Sequence, residues 1–81
     1  KEVADTYGWI LLQTGNPMRA FQVLQQALKQ DPEHPEIGYH VALALKALNR
    51  SDEARPILER ILRNKPHSSL HKQVTELLEQ L

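Results

Sequence analysis

Apolar residues recur at helical spacing in five segments of the chain. In residues 2–14 they are Val3, Ala4, Tyr7, Gly8 and Leu11, an i, i+3, i+4 series that predicts one buried helix face. Similar series predict helices over residues 17–30, 35–48, 51–64 and 69–80. Because the links between these segments are short, we expect neighbouring helices to pack antiparallel.

Residues that favour helix ends stand at the predicted boundaries. Gly15 and Asn49 tolerate the left-handed backbone conformation that closes a helix. Pro17 and Pro35 suit the first helical position, where a backbone N–H has no partner within the helix. These residues indicate where the first helix ends, where the second begins, and where the third begins and ends.

Two of the predicted helix starts carry a more specific expectation. Pro56 cannot donate to the Asp52 carbonyl, so we expect a late or irregular start of the fourth helix. Ser68 or Ser69 is expected to cap the fifth helix. We expect the polar side of that helix to face solvent, because nothing stacks on the far side of a terminal helix.

One segment of the chain is duplicated. Residues 20–32, AFQVLQQALKQDP, return 34 positions later as ARPILERILRNKP in residues 54–66. The identical pairs are Ala20 with Ala54, Leu24 with Leu58, Leu28 with Leu62 and Pro32 with Pro66. A fixed period of this size is typical of one helical unit stacked on a copy of itself. We therefore predict one all-α domain over residues 1–81, with repeats at 1–34 and 35–68 and a capping helix at 69–81.

The duplicated unit resembles the tetratricopeptide repeat, whose pattern is W-x2-L-G-x2-Y, then A-x3-F, A and P within 34 residues. The matching residues are Ala4, Tyr7, Gly8, Leu11, Ala20, Leu24, Ala27 and Pro32, then Gly38, Val41, Ala42, Leu45, Ala54, Leu58, Ile61 and Pro66. Ala4 and Gly38 replace the signature Trp, and we expect that change to loosen packing at the start of each unit. The resemblance implies an α-solenoid of five helices, in which antiparallel pairs form a right-handed superhelix.

The resemblance also implies a binding surface. In this family the first helix of each repeat lines a concave groove that holds a partner protein or peptide. Carried over position by position, the groove residues are Glu2, Asp5, Trp9, Leu12, Gln13, Glu36, Tyr39, Leu43, Lys46 and Ala47. An apolar and aromatic strip with acidic flanks suits an extended or helical peptide.

Several interpretations remain open on the sequence alone. Trp9 contacts a partner, packs on the next helix, or contacts a further repeat upstream. The chain is accordingly either a protein-interaction module or the structural C-terminal cap of a longer array whose functional groove lies upstream. Residues 5–11 and 35–42 are similar to the final repeats of bacterial multi-repeat proteins of this family, some of them envelope proteins linked to exopolysaccharide production and export.

The charge balance narrows the class of partner. Ten basic and ten acidic residues give a net charge of zero, without the positive surface typical of nucleic-acid binding. No apolar run of about 18 residues is present, so no membrane insertion is expected.

Because Lys1 is followed at once by helical pattern, we expect a fragment of a longer protein. We expect it to be monomeric and soluble, in the cytoplasm or periplasm.

The composition does not favour catalysis or a bound cofactor. The chain has no cysteine, which removes thiol nucleophiles and zinc ribbons. His67 and His71 are four residues apart, but no well-placed carboxylate completes a metal site. There is no Gly-rich phosphate loop, and the serines beside these histidines lack a buried acid. We therefore predict no enzyme activity, no metal and no cofactor.

Overall fold

Five helices make up the part of the chain that the structure describes. The structure is a computed structural model that describes the backbone of residues 2–81 and the side chains of residues 5–81. The helices are α1 (Glu2–Gln13), α2 (Pro17–Gln30), α3 (Pro35–Ala47), α4 (Ser51–Asn64) and α5 (His71–Gln80). No strand occurs in residues 2–81, and the predicted all-α fold is confirmed. The expectations for the side chains of Glu2, Val3 and Ala4 lie outside the described residues.

The helices pack in two layers. Each helix packs on the next one along the chain, and α1 also contacts α3. Helices α1 and α3 therefore lie side by side, with α2 and α4 behind them. Residues of α3 and α5 line a common cleft, so α5 continues the first layer. We call the outer surface of this layer the α1–α3–α5 face.

The duplicated segment forms the centre of the core. Ala20 and Leu24 on α2 are fully buried, as are Ala54 and Leu58 at the matching positions of α4. Helix α3 lies between the two and buries residues over its whole length, namely Ile37, Gly38, Val41, Ala42, Ala44 and Leu45. Val74 and Leu77 of α5 close the core at one end. The 34-residue period thus corresponds to equivalent positions in two helix pairs.

The helix boundaries agree with the sequence in most places. Asn49 has a φ of 61° and Gly15 a φ of 83°, so both adopt the predicted left-handed conformation. The prediction for Pro56 is wrong, because α4 begins at Ser51 without interruption and simply contains the proline. Pro56 and Asp52 are both exposed, so water can satisfy the carbonyl that the missing N–H leaves free.

The expected serine cap of the fifth helix is also wrong. Helix α5 begins at His71, and Leu70 occupies the N-cap position without a side-chain cap. Ser68 lies in the preceding turn, where its Oγ accepts a hydrogen bond of 3.2 Å from the Leu70 backbone N–H. The serine therefore stabilises the turn before the helix, in the manner of an ST turn.

Tyr7 does not lie on a buried face as predicted. Its side chain is 45% exposed, and Ile10 is 52% exposed. The positions 34 residues later on α3, Val41 and Ala44, are buried because α3 packs between α2 and α4. Within residues 2–81 no helix covers the corresponding side of α1. Tyr7 and Ile10 of α1 and the 50% exposed Met18 of α2 are exposed apolar side chains, which we together call the α1 edge.

The small residues at the repeat starts pack tightly. A Cβ on Gly8 would overlap the Leu24 side chain, so α1 and α2 approach as closely as the absence of a side chain allows. A Cβ on Gly38 would lie 2.8 Å from Ile61 Cδ1. The expected loosening is therefore wrong at Gly38, where α3 and α4 are in close contact.

Arg50 contacts both helices of the back layer, α2 and α4. Its guanidinium lies 5.0 Å from the centre of the Phe21 ring of α2, a cation–π geometry. The same group donates two hydrogen bonds, of 2.5 and 2.8 Å, to the Glu53 carboxylate of α4. These hydrogen bonds lower the pKa of Glu53 and raise the pKa of Arg50. Both side chains are exposed, so the contribution to stability is small.

Candidate functional site

A cluster of three side chains joins α1 to α3 on the α1–α3–α5 face. Asp5 Oδ1 and His40 Nδ1 are 2.6 Å apart, and their side chains are only 13% and 16% exposed. A carboxylate has no proton to donate, so the His40 Nδ1–H donates to it. The Trp9 ring stacks on the His40 ring, with centroids 4.8 Å apart and planes inclined by 24°. We call Asp5, Trp9 and His40 the aromatic platform.

The helical spacing explains why the platform forms. Asp5 and Trp9 are four residues apart on α1 and therefore share one face of that helix. His40 of α3 contacts both residues. The hydrogen bond to Asp5 fixes the position of its Nδ1 atom, and the stack on Trp9 fixes the plane of its ring. Trp9 is 38% exposed, because His40 covers one side of the indole and leaves part of the other side open. The platform thus holds an aromatic surface in a fixed orientation.

Replacing Asp5 by alanine should lower the free energy of unfolding by about 1–2 kcal/mol, since a half-buried, charge-assisted hydrogen bond is lost. Urea denaturation followed by Trp9 fluorescence measures this change. Asp5→Asn, whose amide oxygen can still accept from His40, should lose less. Glu79→Ala on the exposed side of α5 serves as the control and should stay within about 0.5 kcal/mol of the parent. Equal stability of Asp5→Ala and Glu79→Ala would contradict the assigned role.

A cleft separates α3 from α5 on the same face. It has a volume of about 180 Å³ and is lined by Tyr39, Leu43, Gln73, Glu76, Leu77 and Gln80. The Lys46 ammonium of α3 donates a hydrogen bond of 2.8 Å to the Oε1 of Gln80, one of the lining residues. Lys46 and Gln80 belong to the last turns of their helices, so α3 and α5 run in the same direction. We call this site the α3–α5 cleft.

The predicted groove residues fall into three groups. Asp5 and Trp9 belong to the aromatic platform, and Tyr39, Leu43 and Lys46 border the cleft. Four more lie apart from both sites: Leu12 is half-buried against the core, Gln13 is exposed at the end of α1, Glu36 is exposed near the start of α3, and Ala47 is exposed at the end of α3. The side chain of Glu2 lies outside the described residues.

Glu36 borders a second depression, at the start of α3. Its lining comprises Asp5, Thr6, His34, Glu36 and Ile37. His34 is engaged as the helix cap, since its Nδ1 accepts a hydrogen bond of 3.3 Å from the Ile37 backbone N–H. This imidazole therefore has a structural task at the helix N-terminus, where a side-chain acceptor satisfies a free N–H.

The sequence did not identify His40 or the contribution of α5. His40 follows Tyr39 directly, and its partner Asp5 lies 35 residues away, so no local pattern links them. The polar side of α5 faces solvent as expected at Gln73, Glu76 and Gln80, which are exposed, but the sequence did not indicate that these residues also line a cleft with α3. The repeat period contained a usable signal for α5, since Gln73 lies 34 positions after Tyr39.

The structure also bears on metal binding and on membrane-spanning helices. Among the described residues, no group of three or more histidine, aspartate or glutamate side chains is arranged to hold a metal ion. His67 and His71 are both exposed. None of the helices in the described part of the chain is long and apolar enough to cross a membrane.

Comparison with known proteins identifies the repeat. A family model described as "Tetratricopeptide repeat" matches residues 11–80, which include α2 to α5 and both copies of the duplicated segment. No curated protein and no solved structure gives a significant match to the chain. The family match covers most of the chain and includes Leu12, Gln13, Glu36, Tyr39, Leu43 and Lys46 of the predicted groove.

Proposed function

Because this chain belongs to the tetratricopeptide repeat family, we propose that it is a non-enzymatic interaction module that binds a peptide segment of a partner protein. The peptide lies across the α1–α3–α5 face, from the aromatic platform to the α3–α5 cleft. The observation that carries this proposal is the stacking of Trp9 on His40, which presents an indole in one orientation on an open surface.

The chemistry of the face suits an extended peptide. Trp and Tyr are the residues most often found at interface hot spots, and both occur here, as Trp9 and Tyr39. The stack on His40 restricts the Trp9 ring before binding, so little further conformational entropy is lost when a ligand covers it. Leu43 supplies apolar contact area beside the buried Leu77, while Gln73 and Gln80 carry amides that can pair with a peptide backbone.

The small area of the face limits the expected affinity. A standard interface buries about 800 Å² on each partner, and three short helices offer less than this on one side. We therefore expect dissociation constants in roughly the micromolar to millimolar range for a free peptide. Longer contacts or neighbouring repeats would raise this affinity through multivalency.

A peptide selection tests the proposal. Random 12-residue peptides displayed on phage are selected against the 81-residue chain, and enriched peptides are titrated into ¹⁵N-labelled protein. We expect saturable amide shifts in α1, α3 and α5, with changes in the Trp9 indole N–H signal. Saturable shifts confined to α2 and α4 would overturn the proposed binding face. A failure of every enriched peptide to shift α1, α3 and α5 would overturn the proposed function.

The α1 edge favours a second candidate function, that of a structural cap for a longer array. Tyr7, Ile10 and Met18 expose apolar surface where the matching side of α3 is covered by α2. A fusion that places a copy of residues 35–68 before residue 1 tests this idea. If the edge is a packing surface, the fusion should unfold cooperatively, and the amides of Tyr7 and Ile10 should gain protection from hydrogen exchange. Unchanged exchange at both amides would contradict the cap.

A further inference from the structure

We propose that the α3–α5 cleft takes the side chain of an arginine from the bound peptide. This inference rests on the proposed function, because it assigns one subsite on the same face. The cleft volume of about 180 Å³ is below the roughly 300 Å³ at which pockets for small molecules begin. A space of this size, open on one side, suits a single long side chain.

The lining of the cleft separates into an apolar and a polar part. Leu43 and Leu77 pack against the core from α3 and α5, and the half-buried Tyr39 ring adds an aromatic surface. Such a surface can cover the methylene groups of a long charged side chain, while the charged end stays near polar groups. Gln73 and Glu76 provide polar groups on the α5 side.

The charge of the cleft selects a cation. The Glu76 side chain makes no ion pair or hydrogen bond with any residue that the structure describes, and neither does the Gln73 side chain. The nearby ammonium of Lys46 is hydrogen-bonded to Gln80 and does not line the cleft itself. An incoming guanidinium therefore meets an unpaired carboxylate and an unpaired amide oxygen, both of which are acceptors. An incoming carboxylate would meet Glu76 as a like charge.

The charged side chains of the wider face are also mainly acidic. The carboxylates of Asp5, Glu36 and Glu76 and the ammonium of Lys46 belong to α1, α3 and α5 and lie on or beside this face. Asp5 is already paired with His40. Arginine fits the remaining acceptors better than lysine, because its planar guanidinium donates to two groups at once and stacks on an aromatic ring such as Tyr39.

The experiment compares three forms of the chain in the peptide selection described above. We expect arginine to be enriched against the parent chain and against Glu79→Gln, and to lose its enrichment against Glu76→Gln. Glu79 is the matched control because it lies on the same helix, is exposed and does not line the cleft. In an enriched peptide, replacing arginine by citrulline, which is uncharged and of nearly the same shape, should weaken binding about two- to fivefold. The same replacement should have no effect on binding to Glu76→Gln.

The outcomes separate this inference from the proposed function. Peptides that shift α1, α3 and α5 but show no preference for arginine, and tolerate citrulline, would overturn the arginine subsite and leave the interaction module standing. An equal loss of arginine enrichment with Glu79→Gln would also overturn it, because the effect would then come from net charge alone. Peptides that never shift α1, α3 and α5 would overturn both.

Discussion

Replacing Leu24 by alanine should lower the free energy of unfolding by about 2–5 kcal/mol, the largest single effect that we expect in this chain. Leu24 is fully buried on α2 and contacts the backbone of α1 at Gly8. Its removal leaves a cavity at the point where the two helices approach most closely, and the close-packed surroundings cannot fully collapse into it. For a domain of this size, such a loss removes a large part of the total stability.

Urea denaturation monitored by circular dichroism measures this change. Met18→Ala is the matched control, since Met18 lies on the same helix, is 50% exposed and should stay within about 0.5 kcal/mol of the parent. A loss as small as that of the control would show that α1 does not pack on α2 through Leu24.

A double-mutant cycle with Gly8→Ala makes the test specific. In the parent, the added methyl group overlaps the Leu24 side chain and should cost about 1–3 kcal/mol, offset in part by roughly 0.5–1 kcal/mol of improved helix propensity. In the Leu24→Ala background the space is free, so Gly8→Ala should be neutral or stabilising. Additive effects of the two substitutions would contradict the contact, because residues in contact are expected to couple.

Replacing Trp9 by alanine should weaken the binding of a selected peptide by about thirtyfold, which corresponds to roughly 2 kcal/mol. The indole is the largest apolar group on the platform, and its loss also frees His40 from its stacked position. Isothermal titration calorimetry measures the affinity without depending on the fluorophore that the substitution removes.

Two further variants keep this prediction open to refutation. Trp9→Phe preserves an aromatic ring over His40 and should retain more affinity than alanine. Tyr7→Ala removes an exposed aromatic residue of the same helix that lies on the α1 edge, and should leave the affinity within about twofold of the parent. If Trp9→Ala has a parent-like circular dichroism spectrum and binds as tightly as Tyr7→Ala, Trp9 is not the anchor of the ligand.

The features that the sequence predicted well are those set by neighbouring residues or by the repeat. The helix predicted over residues 17–30 is observed as α2, with ends at Pro17 and Gln30, because Pro17 suits the first helical position and Pro32 restricts the backbone of the residue before it. The burial of Ala20 and Leu24 followed from their return as Ala54 and Leu58. The period therefore predicted the core without any knowledge of side-chain contacts.

The features that escaped prediction depend on a neighbour distant in sequence. Tyr7 has the spacing of a buried residue, but its exposure is decided by whether another helix covers that side of α1. The bond between Asp5 and His40 depends on the register of α1 against α3, which hydrophobic spacing alone does not fix. At α5, Ser68 had two possible tasks, in the turn or at the helix, and only the path of the chain between α4 and α5 decides between them.

The aromatic platform makes the angle between the two helix pairs measurable. Asp5 and Trp9 belong to the first pair and His40 to the second, so any bending between the pairs changes the Asp5–His40 distance and the overlap of the two rings. Trp9 is the sole tryptophan of the chain, and its emission therefore reports this bending without an attached label. Trp9, which offers a surface to a ligand, thus also reports the curvature of the repeat array. Stretching or ligand binding that changes this curvature should shift the wavelength of the Trp9 emission.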